Sequence, residues 1–172
     1  MSFLKVVKAR QSIRAFAPTS LAEDKLNEIL EAANRAPSAG NLQAYELYVA
    51  TQASRRAALA GAAFEQAFVA DAPVVLVFCA HPERSARRYD QRGARLYALQ
   101  DATIACTYAM LAATALGLAS VWIGAFDEGA VRKAIGAPET HVPVALLPIG
   151  YAAEKPAPTM RRPLDDLVHR PG

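Results

Sequence analysis

Residues 102–116 read Ala-Thr-Ile-Ala-Cys-Thr-Tyr-Ala-Met-Leu-Ala-Ala-Thr-Ala-Leu, a stretch without one charged side chain. Alanine, leucine and methionine dominate it, and these are strong helix formers. The helical pattern reaches back to about Arg88, and Gly117 follows as a C-terminal cap. A helix that is apolar on every face has to be buried on every face. The chain has 172 residues, enough for one ordinary domain around one core. A second copy of the chain is the simplest cover for such a helix.

The flanking segments fill in an α+β pattern. Pro73 leads into Val74-Val75-Leu76-Val77-Phe78-Cys79, a continuous apolar run of strand length that suggests a central strand covered on both faces. Tyr45 to Ala50, Leu118 to Ile123 and Pro143 to Ile149 read as further strands. Ser20-Leu21-Ala22-Glu23 has the form of a capping box, followed by Leu26, Ile29, Leu30 and Ala33 at helical spacing. That helix must stop near Ala36, because Pro37 disfavours helix in the residue before it. Residues 52–68 are alanine-rich and helical, with Gly61 as the expected break. Asp127 is placed to cap a short helix from Glu128 to Ile135, before Gly136. The proline- and charge-rich tail from Ala152 is expected to wrap the surface. No repeat or linker interrupts residues 1–172, which read as a single domain with roughly four strands.

With 53% apolar and 20% charged residues, the chain should fold rather than stay disordered. Its opening lacks the apolar core and cleavage site of a signal peptide, and charges or hydroxyls interrupt every long apolar run. Cys79 and Cys106 lie in apolar segments without metal-ligand spacing and read as buried thiols of a reducing compartment. A cytoplasmic protein is expected. A net charge of +3 is mild, and no helix-turn-helix, zinc or base-stacking motif supports nucleic-acid binding.

Four segments could carry chemistry. In Arg10-Gln11-Ser12-Ile13-Arg14, an extended backbone points positions 10, 12 and 14 the same way. Two guanidiniums and a hydroxyl then face one ligand, a donor set suited to phosphate. A solvated basic turn would have the same sequence. Pro37-Ser38-Ala39-Gly40-Asn41-Leu42-Gln43 is a tight loop rich in hydrogen-bonding groups, or an ordinary connector. Ser120-Val121-Trp122-Ile123-Gly124-Ala125-Phe126 holds the only tryptophan and a glycine that lets backbone approach a ligand, although a core tryptophan fits too. Arg161-Arg162-Pro163-Leu164 is a basic pair near the C-terminus.

In order and wording these segments resemble the nitroreductase family of FMN-dependent enzymes, from about Val6 to Val168. The resemblance rests on Arg10-x-Ser12-x-Arg14, Ala36-Pro37-Ser38-x-x-Asn41-x-Gln43, Asp71-Ala72-Pro73, Gln100-Asp101-Ala102, Gly150-Tyr151 and Arg161-Arg162-Pro163-Leu164. It implies a mixed, mainly antiparallel sheet of about four to five strands flanked by helices, in an intertwined homodimer with FMN at the interface. By the same resemblance Arg10 and Arg161, and more weakly Arg162, would bind the FMN phosphate. Ser12 would contact the ribityl and ring region, Gln11 would also belong to the cofactor-binding residues, and Arg14 would lie near flavin N1 and O2. Pro37, Ser38, Ala39, Asn41 and Gln43 would reach the flavin from the other subunit. Ile123 and Gly124 would offer backbone contacts near N5.

The implied activity is ping-pong hydride transfer through FMN, from NADH or NADPH to a nitroaromatic, quinone or similar electrophile. The alternative is a flavin-storage protein without turnover. No side chain reads as an obligatory acid or base and no metal ligand set is visible; His81, His141 and His169 stand isolated in sequence. Arg84, Arg87 and Arg88 fall in the least familiar segment, where they could meet the extra phosphate of NADPH or form a solvated face.

Overall fold

The computed structural model describes residues 1–171. In chain order its elements are α1 (Phe3–Ala9), α2 (Glu23–Asn34), β1 (Tyr45–Ala50), α3 (Ala53–Ala62), α4 (Phe68–Asp71), β2 (Val74–Ala80), α5 (Pro82–Arg92), α6 (Ala98–Ala115), β3 (Ala119–Ser120), α7 (Glu128–Ile135), β4 (Val142–Gly150) and α8 (Leu164–Leu167). The strands form one sheet in the order β1-β2-β4-β3, with every ladder antiparallel. A fifth extended segment joins through a parallel bridge from Ser12 to Ser120.

β2 sits inside the sheet, buried along its whole length. Its side chains alternate, as the period of a strand requires. Val75, Val77 and Cys79 pack with Leu59, Val69 and Val131 of α3, α4 and α7. Val74, Leu76 and Phe78 pack with Ile29 and Ala33 of α2 and Ala105, Cys106 and Ala109 of α6. Helices on both faces explain why an antiparallel strand carries an unbroken apolar run.

α6 buries Ala98, Ala102, Ala105, Ala109 and Ala113, small residues at helical spacing that let the helix lie close to its neighbours. Its other side is not covered by the chain itself. Tyr108 is exposed there and with Leu111, Ala112 and Ala115 lines an apolar groove of about 590 Å³, together with Met1, Phe3, Val6 and Ala32.

Several local expectations need correction. The capping box does not form: α2 starts after Ala22, which makes no side-chain cap. α3 runs through Gly61, and the chain turns instead at Phe64 and Glu65, both at positive φ. Burial of Leu59, Ala60 and Ala62 holds that last turn helical. The long helix is interrupted where Asp90 adopts φ 46°, and a π-helical turn at Gly93–Tyr97 joins α5 to α6. Gly93 is required there, since a Cβ would lie 2.6 Å from the Ser85 carbonyl oxygen. The strand expected at 118–123 pairs regularly only at Ala119–Ser120 and rejoins β4 at Ile123. The tail lies along residues 14–16 only from Ala152 to Glu154, and residues 157–171 are exposed throughout. Gly117, at φ 75°, and the Asp127 cap, whose carboxylate accepts the Ala130 N–H at 2.7 Å, match expectation.

Candidate functional site

The backbone of the Arg10–Arg14 segment is held along its length, with the Arg10 N–H on the Val6 carbonyl and the Arg14 N–H on the Glu154 carboxylate. The Ile13 N–H donates to the Ser120 carbonyl at 3.1 Å, Ala17 N–H to Tyr151 at 2.8 Å and Ala153 N–H to Ala15 at 2.9 Å. Ile13 is buried between partly exposed Ser12 and exposed Arg14, the alternation of an extended strand. Arg10 and Gln11 border a cavity of about 120 Å³ with Thr114, Gly117 and Leu118, beside the C-terminal end of α6. Among the described residues neither the Arg10 nor the Arg14 guanidinium enters an ion pair. The Ser120 hydroxyl, beside Ser12, is buried without a hydrogen-bond partner. Buried hydroxyls are normally satisfied. Arg10 borders the cavity, whereas Ser12 and Arg14 do not line it, so this corner offers one unpaired cation and a neutral hydroxyl. That chemistry fits a phosphorylated ligand.

The loop 37–43 is held at the opposite end of α6. Asp101, 2% exposed, accepts the Ala39 N–H at 3.0 Å and the Ala44 N–H at 3.3 Å on its two oxygens. Ser38 Oγ accepts the Gln43 N–H at 2.9 Å. Gly40, Asn41 and Gln43 all take positive φ, so the loop is a tight coil with Pro37 and Asn41 at the surface and Ser38, Ala39 and Gln43 half-buried. Arg84 donates to the Gln43 carbonyl at 2.9 Å and to Glu46 at 2.6 Å. A Cβ on Gly40 would stand 2.5 Å from the Tyr89 hydroxyl, so α5 lies directly on this loop.

Asp101 and Thr114 are thirteen positions apart on one helix, which at 1.5 Å per residue separates their two sites by about 20 Å. Within one chain the arginine segment and the loop therefore stay apart.

Ile123 and Gly124 differ from each other. The Ile123 N–H donates to Leu146 at 2.9 Å and its carbonyl accepts the Leu146 N–H at 3.0 Å. Its backbone is used up in the sheet, leaving exposed Gly124 as the peptide open to a ligand. Arg161 donates to Thr159 and Met160, and Arg162 to the Asp166 carbonyl, all within the exposed tail. Nothing in the described chain brings either to Arg10.

The thiols are shielded. Burial, reinforced by the Glu46 charge, pushes Cys79 up to about 12; burial alone pushes Cys106 well above the ordinary thiol range. His81 and His141, isolated in sequence, face each other with ring centroids 5.0 Å apart. Among the described residues no helix is long and apolar enough to cross a membrane.

Residues 7–70 and 55–151 match the model of the nitroreductase family. The chain is 36% identical to a protein of Thermus thermophilus named NADH dehydrogenase, over 92% of this chain and 91% of that one. Its fold superimposes on the structure of B. megaterium NfrA2 with TM-score 0.90 at 27% identity, covering 99% of this chain and 74% of that one. It also superimposes on the NADPH:FMN oxidoreductase of Vibrio harveyi complexed with NAD+, with TM-score 0.89 at 27% identity, over 98% of this chain and 76% of that one.

Proposed function

The chain belongs to the nitroreductase family, and from that premise we propose that it is an FMN-dependent NAD(P)H oxidoreductase acting as a homodimer with two shared flavin sites. One observation carries the reading. Unpaired Arg10 at the end of α6 and the polar loop at its start lie about 20 Å apart in one chain. If two copies of α6 pack antiparallel along their exposed apolar sides, the loop of one subunit comes to the arginine segment of the other. The groove lined by Tyr108, Leu111, Ala112 and Ala115 supplies the apolar surface for that packing, and exposed patches of this kind mark interfaces.

When bound, FMN supplies hydride transfer between NAD(P)H and an electrophilic acceptor such as a nitroaromatic or quinone. The chain's own part is binding and electrostatics. Arg10 holds the phosphate, joined by Arg161 and Arg162 once the exposed tail docks on the assembled dimer, and Gln11 and Ser12 line the approach to the ring. Arg14 offers a positive charge at the ring edge where negative charge gathers on reduction, and the Gly124 peptide orients the opposite edge. Pro37, Ser38, Ala39, Asn41 and Gln43 close the site from the other subunit, held in shape by Asp101. Losing one charge-assisted hydrogen bond of this kind costs about 1.5–3 kcal/mol, or about ten- to hundredfold in affinity.

Purified protein should be yellow, with flavin absorption near one FMN per subunit. Arg10→Ala should lose most of that flavin and Arg87→Ala, on the exposed side of α5, should keep it. Mixing with NADH or NADPH in a stopped-flow instrument should bleach the flavin within seconds. A flavin that stays oxidised would leave storage as the role.

A further inference from the structure

The sheet register assembles a group that lies outside the proposed flavin contacts. In the register, Ala80 at the end of β2 is flanked by Tyr45 of β1 and Val142 of β4. His81 follows Ala80 and His141 precedes Val142 on an antiparallel neighbour, so the two imidazoles meet across the end of the sheet. Glu46, one residue into β1, completes the group. One ligand atom from each of Glu46, His81 and His141 lies within 4.8 Å of the other two, and all three residues are partly open to solvent. We propose that these three side chains form a binding site for a divalent transition-metal ion of the zinc type.

The donor set is two imidazoles and one carboxylate, a combination suited to zinc and its neighbours and not to magnesium or calcium. Metal–ligand bonds of about 2.0–2.2 Å place tetrahedral ligands about 3.4 Å apart. Small side-chain rotations close the triangle from its present size. The surroundings orient the ligands as outer-shell groups do in metal sites. Tyr48 Oη lies 2.6 Å from His141 Nδ1, which leaves the Nε2 edge of that ring for a metal. Arg84 holds Glu46 through Oε1 at 2.6 Å, which leaves Oε2 to coordinate. His81 Nδ1 accepts the Arg84 N–H at 3.1 Å, and that N–H has a second acceptor in the His81 carbonyl, also at 3.1 Å. Coordination through the His81 ring therefore does not orphan the amide. Three protein ligands leave a fourth position for water.

The site stands whether or not the flavin reading holds, because none of its three ligands belongs to the proposed flavin contacts. Untagged protein as purified, stripped with chelator and dialysed, is titrated calorimetrically with zinc chloride, with magnesium chloride as the control. The expected result is one zinc per chain in the micromolar range, a rise in Tm with zinc and none with magnesium. His81→Gln and His141→Gln should each weaken binding at least tenfold, whereas His169→Gln in the tail should leave it unchanged. Circular dichroism shows whether each variant is folded; Glu46→Gln, expected to weaken binding similarly, takes the place of one that is not. X-ray absorption at the zinc edge should report two imidazoles. Absence of saturable micromolar binding, or binding that survives loss of His81 and His141 but not of His169, overturns the proposal.

Discussion

β2 and the tail are opposite extremes of one chain. Val75, Leu76, Val77, Phe78 and Cys79 have no exposed surface at all, whereas Met160 is 95% and Leu164 71% exposed. At the other terminus Phe3 and Leu4 of α1 are each 69% exposed. The chain closes its own sheet on both faces and leaves its surplus apolar side chains at its ends and along α6. The interior is closed by this chain alone; the periphery leaves apolar side chains open. That division also fits the chemistry, because the proposed flavin contacts lie on the peripheral segments, not in the sealed sheet.

Truncating the interior should have the largest effect. Phe78→Ala removes a fully buried ring between α2 and α6, at a cost of about 3–5 kcal/mol, read as a lower urea midpoint. The comparison would break if that variant were as stable as the parent. Deleting residues 157–172 should instead leave the circular dichroism unchanged. It should raise the subunit dissociation constant about tenfold or more, seen by analytical ultracentrifugation, and release flavin.

Asp101→Ala tests the join between the two regions. It leaves the Ala39 and Ala44 amides without their acceptor, costing about 1.5–3 kcal/mol. Loss of flavin affinity should exceed any loss of dimer. Asp101→Asn, with a single acceptor oxygen, should fall between alanine and the parent.

The smallest effect concerns the thiols. Cys79 stays protonated in the folded state up to about 12, whereas an unfolded thiol ionises near 9.0. The unfolded chain therefore sheds the proton first, and this contribution to stability is full below pH 9 and falls as pH rises from 9 towards 12. Ellman's reagent at pH 8 should find no reactive thiol in native protein and two after denaturation.

β2 and β4 were legible because they are apolar runs with Pro73 and Pro143 near their starts, and tight ends such as Asp127 and Gly136 carry their signal locally. Ser20 and Gly61 misled because burial of Ile29, Leu59 and Ala60 sets where those helices start and stop, and no local motif records burial. The interruption at Asp90 and Gly93 depends on the close approach of the Ser85 carbonyl, which the helical pattern does not show. Arg10, Ser12 and the 37–43 loop were readable as chemistry, yet their separation along α6 was not. Asp101 was seen as part of a motif, but its grip on the loop needs the fold. His81 and His141 lie sixty positions apart and meet only through the register of three strands.

Whether one flavin is shared between two chains can be measured by mixing damaged subunits. Co-expressed chains, one carrying Arg10→Ala with Arg14→Ala and the other Ser38→Ala with Asn41→Ala, are purified as mixed dimers and their flavin content determined. A shared site regenerates one undamaged site per mixed dimer, so flavin should return to half the parental content although neither homodimer holds it. Mixed dimers as empty as both homodimers would mean that each site is built within a single chain, contradicting the antiparallel pairing of α6.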